Sequence, residues 1–260
     1  MRLYFTYISM YIKSQLQYRA SFLLAAVSQF FAPFALTAGI YFLFDRFGQI
    51  DGWTLYEVLI CYSVVGGSHA MAECFARGFD KFPRLVQNGG FDRILVRPRS
   101  LLFQILLSDF DLKRVGHLAQ TLLVLAYAIY KVEIVWSVAK AFMLLNMLIG
   151  GAFIFAGVYL LQATASFRTV ESLEIANIFT HGMKEHASYP LSIFPKWITL
   201  FFTFIIPFGT INYLPMQYML GRADGIAWLY ALLPLAGGLF VLPCALAWRL
   251  GVRHYASTGS

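Results

Sequence analysis

Charged side chains are scarce in this sequence. Asp, Glu, Lys and Arg make up 13% of its 260 residues, about half the share usual in a soluble domain. Hydrophobic residues make up 59%, which excludes the ordinary soluble class. Cysteine is scarce as well. Cys61, Cys74 and Cys244 stand far apart, which excludes a disulfide framework and a cysteine-based zinc site. No G-x-x-x-x-G-K-[ST] phosphate loop occurs, so the chain binds no nucleotide by that device. Neither H-E-x-x-H nor G-x-S-x-G is present, which removes two common hydrolase signatures.

What is abundant is apolar length. A bilayer core of about 30 Å takes about 20 apolar residues in helical form. Six stretches approach that length: Phe22–Phe44, Tyr56–Met71, His117–Tyr130, Val138–Ser166, Trp197–Tyr213 and Ile226–Trp248. The second and third are short and extend into their flanks, and the fourth is long enough to tilt. An all-α polytopic membrane protein with one domain over residues 1–260 is expected. Met1–Arg19 has no apolar core with a cleavage site, so it is expected to be an amphipathic interfacial helix over residues 1–20 rather than a leader. With the N-terminus inside, sixteen of the twenty Lys and Arg fall on the cytoplasmic side. That bias places both termini in the cytoplasm. It also explains the net charge of +7 without a nucleic-acid partner.

The expected spans hold few ionisable residues, which argues against a charged ladder for ions or protons. Glu57 lies near the outer end of the second span. His69 and Glu73, near its inner end and four residues apart, share a helical face and can pair. Asp109 and Asp111 form a D-x-D that some lipid transferases use for metal, but the polar stop before a span accounts for them too. His181 and His186 share a helical side yet lack the further ligand that zinc needs, so no metal site is assigned. Gly66-Gly67, Gly150-Gly151, Gly157 and Gly237-Gly238 let helices approach closely. After the fifth apolar stretch, Pro207, Gly209 and Pro215 interrupt an apolar run, which suits a short element folding back at the outer surface.

A surface helix, six spans and a basic loop between the second and third resemble an ABC-2 type ABC transporter permease. NGGFDRILVRP (Asn88–Pro98), YPLSIFPKW (Tyr189–Trp197), IIPFGTINYLP (Ile205–Pro215) and GVRHYASTGS (Gly251–Ser260) are similar to its six-span exporter branch, which is encoded with a separate ATPase and often a second permease. The resemblance covers essentially the whole chain, although Phe167–Ser188 is longer and more charged than a minimal loop. It implies the ABC-2, type V exporter-like fold in a bacterial cytoplasmic (inner) membrane. The implied partners are membrane lipids, an ABC ATPase dimer and an identical or homologous second permease. ATP and Mg would lie on the ATPase, with no cofactor on this chain. It further implies a coupling region over residues 77–100 that seats on the ATPase. There Asp92 would cap a helix Arg93–Val96 after Gly89-Gly90 ends the preceding one. Arg93 and Arg97 would form a charged face, Ile94 and Leu95 would face the bundle, and Pro98 would turn the chain back. The spans' low charge suits an amphipathic or lipid-like cargo. Two other readings stay open: a membrane-embedded lipid-modifying enzyme using Asp109, Asp111 and His117, and a non-transporting scaffold.

Overall fold

The computed structural model describes residues 2–167 and 182–255, with side chains from residue 6 onward. Residues 168–181, which include His181 and most of Phe167–Ser188, lie outside the described residues, as does the C-terminal 256–260. The described residues form helices and no strand. Helix α1 spans Arg2–Gln17, α2 Arg19–Phe31 and α3 Phe34–Phe47, with Pro33 at the α2–α3 junction. Next come α4 (Leu55–Phe75), α5 (Arg77–Gln87), the single turn α6 (Asp92–Leu95), α7 (Leu101–Leu106), α8 (Val115–Lys131) and α9 (Val138–Ala165). After the gap follow α10 (Lys196–Leu200), α11 (Leu214–Met219), α12 (Ala227–Leu232) and α13 (Ala236–Arg253).

Among the described residues, four helical stretches are long and apolar enough to cross a membrane: Arg19–Phe47, Leu55–Phe75, Val138–Ala165 and Ala227–Arg253. Helix α8, at 17 residues, sits at the short limit for a span. Helix α4 is the centre of the bundle. Its apolar window is 89% buried, against 6% for α2–α3, which lies at the periphery. Helix α4 is buried along nearly its whole length, as a helix surrounded by others must be, and its buried Glu57, His69 and Glu73 therefore need partners from its neighbours. Helices α9 and α13 cross at a glycine contact. A Cβ on Gly237 would lie 2.0 Å from the Gly150 carbonyl oxygen, and one on Gly150 would lie 2.0 Å from that of Pro234. Gly238 meets no neighbour and takes no part in this packing, contrary to its expected role.

The expected span Trp197–Tyr213 is not one helix. Lys196–Ile205 and Gly209–Met219 meet at a bend of 89°. Pro207 has no N–H to continue the ladder, and the Ile206 N–H closes a wide turn on the Phe201 carbonyl at 3.1 Å. The first limb holds only ten residues, about 15 Å of helix and half a bilayer core. Both limbs have their outer ends beside the start of α4. Trp53 Nε1 donates to Ser192 Oγ at 3.1 Å just before the first limb. After the second limb, Arg222 donates to the Gly52 carbonyl at 3.1 Å and meets Glu57 at 2.8 Å.

Candidate functional site

The basic segment Asn88–Ser100 is shaped by its glycines. Helix α5 ends when Gly89 takes φ +64°. The Gly90 N–H then donates to the Leu85 carbonyl at 2.9 Å and the Gly89 N–H to that of Val86 at 3.0 Å. This is a Schellman closure, and it requires a left-handed residue at Gly89. Two details differ from expectation. Phe91, not Asp92, precedes the α6 turn. Asp92 lies in the first turn and accepts from the Tyr255 hydroxyl at 3.0 Å. Leu95 is 40% exposed rather than facing the bundle, because a four-residue turn points only one side inward, and Ile94 takes it. Arg93, Val96, Arg97 and Pro98 are exposed.

The anchor of this segment is Phe91, which is fully buried. Its ring lies 5.0 Å from that of Phe82, 4.9 Å from Tyr255 and 5.5 Å from Phe167, edge-on or tilted as aromatic rings prefer. Trp248 of α13 packs on Phe82 at 4.9 Å. One aromatic cluster therefore ties the exposed arginines to the end of the last helix. The order of the motifs in sequence did not reveal this contact, since its members lie in four distant segments. Helix α1 reaches the same end: Tyr11 donates to the Ser108 carbonyl, and Gln15 Oε1 accepts from the Leu112 N–H at 3.1 Å.

The expected pair of His69 and Glu73 proves to be part of a larger network. His69 Nδ1 lies 3.4 Å from Glu73 Oε2, and His69 Nε2 lies 3.1 Å from the Tyr159 hydroxyl. Glu73 Oε1 also meets Arg77 at 2.7 Å and Arg114 at 3.1 Å. Arg77 pairs with Asp80 at 3.3 Å, and Arg114 donates to Gln29 at 2.9 Å. Side chains of α2, α4, α5 and α9, with Arg114 just before α8, thus form one network around a buried carboxylate, as a charge removed from water requires. His69, Glu73 and His117 offer ligand atoms within 4.8 Å of one another, a spacing that a metal ion can use. The two guanidinium groups on Glu73 oppose a cation there.

Other candidates are engaged elsewhere. Asp109 pairs with Lys81, while Asp111 accepts from the Lys113 N–H at 3.2 Å and lies 3.7 Å from Arg114. The D-x-D therefore presents no pair of unpaired carboxylates. His186 Nδ1 lies 2.8 Å from the Gly182 carbonyl oxygen, and its ring stacks near Phe202. At the bend, Gly209 is pressed against Thr203: a Cβ there would lie 2.6 Å from the Thr203 hydroxyl oxygen. Pro215 is buried at the start of α11. Glu57 carries a second role that sequence reading missed. It accepts from the Thr54 N–H at 2.8 Å and holds Arg222, whose guanidinium lies 4.9 Å from the Trp53 ring centroid.

The family model for ABC-2 family transporter proteins matches residues 30–259. No curated protein and no solved structure matches the chain.

Proposed function

This chain belongs to the ABC-2 transporter family, and from that premise we propose that it is the permease half of an ATP-driven exporter. Two such permeases, identical or homologous, form the pathway in a bacterial inner membrane, and a separate ABC ATPase dimer hydrolyses ATP. The observation that carries the reading is the Asn88–Ser100 segment. It offers Arg93 and Arg97 outward while Phe91 roots it in the aromatic cluster of Phe82, Phe167, Trp248 and Tyr255. A contact that must pass mechanical work needs both a charged seat outside and a rigid root inside. Asp92 contributes by holding Tyr255.

We retain six crossings and shift the fifth. The chain lies at the α5–α7 end at Phe167, which packs on Phe82, and at the opposite end at Ser192, beside Trp53. The chain has therefore reached that opposite end by Ser192, ahead of Lys196–Met219. Lys196–Met219, with Pro207, Gly209 and Pro215, becomes a hairpin re-entering from the outside. Lys196 moves to the outer side. The topology with both termini in the cytoplasm is unchanged. Helix α1 lies at the inner interface, the cargo is an amphipathic or lipid-like molecule, and the chain itself hydrolyses no ATP.

The test is gentle purification of the tagged chain from its own host with identification of its companions by mass spectrometry. An ABC ATPase is expected. Arg93→Glu with Arg97→Glu is expected to remove it and to stop export, since breaking a desolvated interface charge costs about 2–5 kcal/mol. Membrane level and thermal stability should stay near wild type. Full ATPase association by the double variant would reduce the arginines to headgroup anchors. The engaged carboxylates of Asp109 and Asp111 weigh against the lipid-modifying enzyme.

A further inference from the structure

Helices α2, α4, α5, α8 and α9, with the α2–α3 junction and Lys184, line an open cavity of about 390 Å³ around the Glu73 network. Four basic side chains line it, Arg77, Arg84, Arg114 and Lys184, against the two carboxylates of Glu73 and Asp80. Arg77 and Arg114 are consumed by those carboxylates. Among the described residues, the side chains of Arg84 and Lys184 have neither an ion pair nor a hydrogen bond. His117 also faces the cavity. It is 4% exposed, and its Nε2 has no hydrogen-bond partner among the described residues. The opposite wall is different in kind: Ala32, Pro33 and Leu36 come from the α2–α3 junction, and α2 buries none of its residues.

A void with surplus positive charge, an unmet imidazole nitrogen and one apolar wall on a peripheral helix is complementary to an anion joined to an apolar chain. We infer that this cavity binds the anionic headgroup of an amphiphile, its phosphate or carboxylate seated against Lys184, Arg84 and His117 and its chain over Ala32, Pro33 and Leu36, and that the exported cargo belongs to that class. The assignment of cargo rests on the permease reading above; the binding does not. A bound anion supplies the counter-charge the site lacks. The same surplus charge weighs against a divalent metal on His69, Glu73 and His117.

The purified chain in phosphatidylcholine nanodiscs supplies the test. Lysophosphatidic acid, lysophosphatidylcholine, inorganic phosphate and zinc are titrated separately, with bound ligand counted by native mass spectrometry. Lysophosphatidic acid should bind one per chain, about tenfold or more tighter than lysophosphatidylcholine, as expected when an opposite charge is met in a partly buried site. Inorganic phosphate should compete poorly for lack of the apolar part. Lys184→Gln should weaken lysophosphatidic acid about tenfold, and Lys184→Arg by no more than about threefold. Arg249→Gln with Arg253→Gln, exposed near the end of α13, should leave binding unchanged. Equal affinity for the two lipids, no effect of Lys184→Gln, or loss of binding in the Arg249/Arg253 variant would overturn the inference. Phosphate binding as tight as the lipid would overturn the amphiphile, and tight zinc binding lost in His117→Ala would make the site a metal site. Co-purification of an ATPase is scored separately, so failure of the permease reading is seen even if the lipid binds.

Discussion

Gly89 shows how a single residue sets this protein's behaviour. Gly89 holds φ +64° because the α5 closure needs a left-handed residue there. Gly89→Val is expected to lower stability by about 1–3 kcal/mol, the usual range for a β-branched residue forced into that region. Gly89→Asn should lose far less, since Asn tolerates positive φ. Thermal unfolding in detergent and folding yield check both.

Among the elements, α6 and its root on α13 form the testable unit. Phe91→Ala removes a buried ring from the cluster shared with Phe82, Tyr255 and Trp248, a change that costs about 3–5 kcal/mol in a well-packed core. Phe91→Leu keeps most of the apolar volume at about 1.5 kcal/mol or less. Because Arg93 and Arg97 remain, Phe91→Ala should still co-purify the ATPase yet export poorly, and Phe91→Leu should recover most export. Loss of ATPase association in both variants would mean that the ring shapes the seat rather than passing motion to α13. The bent pair Lys196–Met219 makes the second element-scale case. Its 89° break leaves neither limb long enough to cross, and Gly209 lets the limbs close against Thr203.

At the scale of the whole molecule, the path of the chain is the central prediction. Cysteine probes at Asp51, Lys196 and Asp224, all exposed, should be modified by an impermeant reagent from outside sealed cells, and one at Arg84 should not. Cys61, Cys74 and Cys244 are buried, which gives a quiet background. Lys196 is the discriminating position: a continuous fifth span over Trp197–Tyr213 places it inside, whereas the hairpin places it outside. Protection of Lys196 with labelling of Asp224 would restore the continuous span.

Much of this architecture is legible in the amino-acid order because its causes are local. Apolar length marks the long helices, small residues mark the α9–α13 contact at Gly150 and Gly237, and the glycine pair marks the end of α5. Family membership was legible as well, from short motifs in the right order. Tertiary structure decided the rest. Hydropathy counts residues without direction, so it read Trp197–Tyr213 as one continuous helix, whereas Lys196–Ile205 and Gly209–Met219 meet at a bend of 89°. Asp92 looked like a cap from its neighbours, but its partner is Tyr255, 163 residues away. His69 and Glu73 sat on one helical face, but Tyr159 and Arg114 had to come from other helices to complete the network. A buried charge takes whatever partner the packed bundle brings to it, and that choice is made by assembly in three dimensions rather than by spacing along the chain.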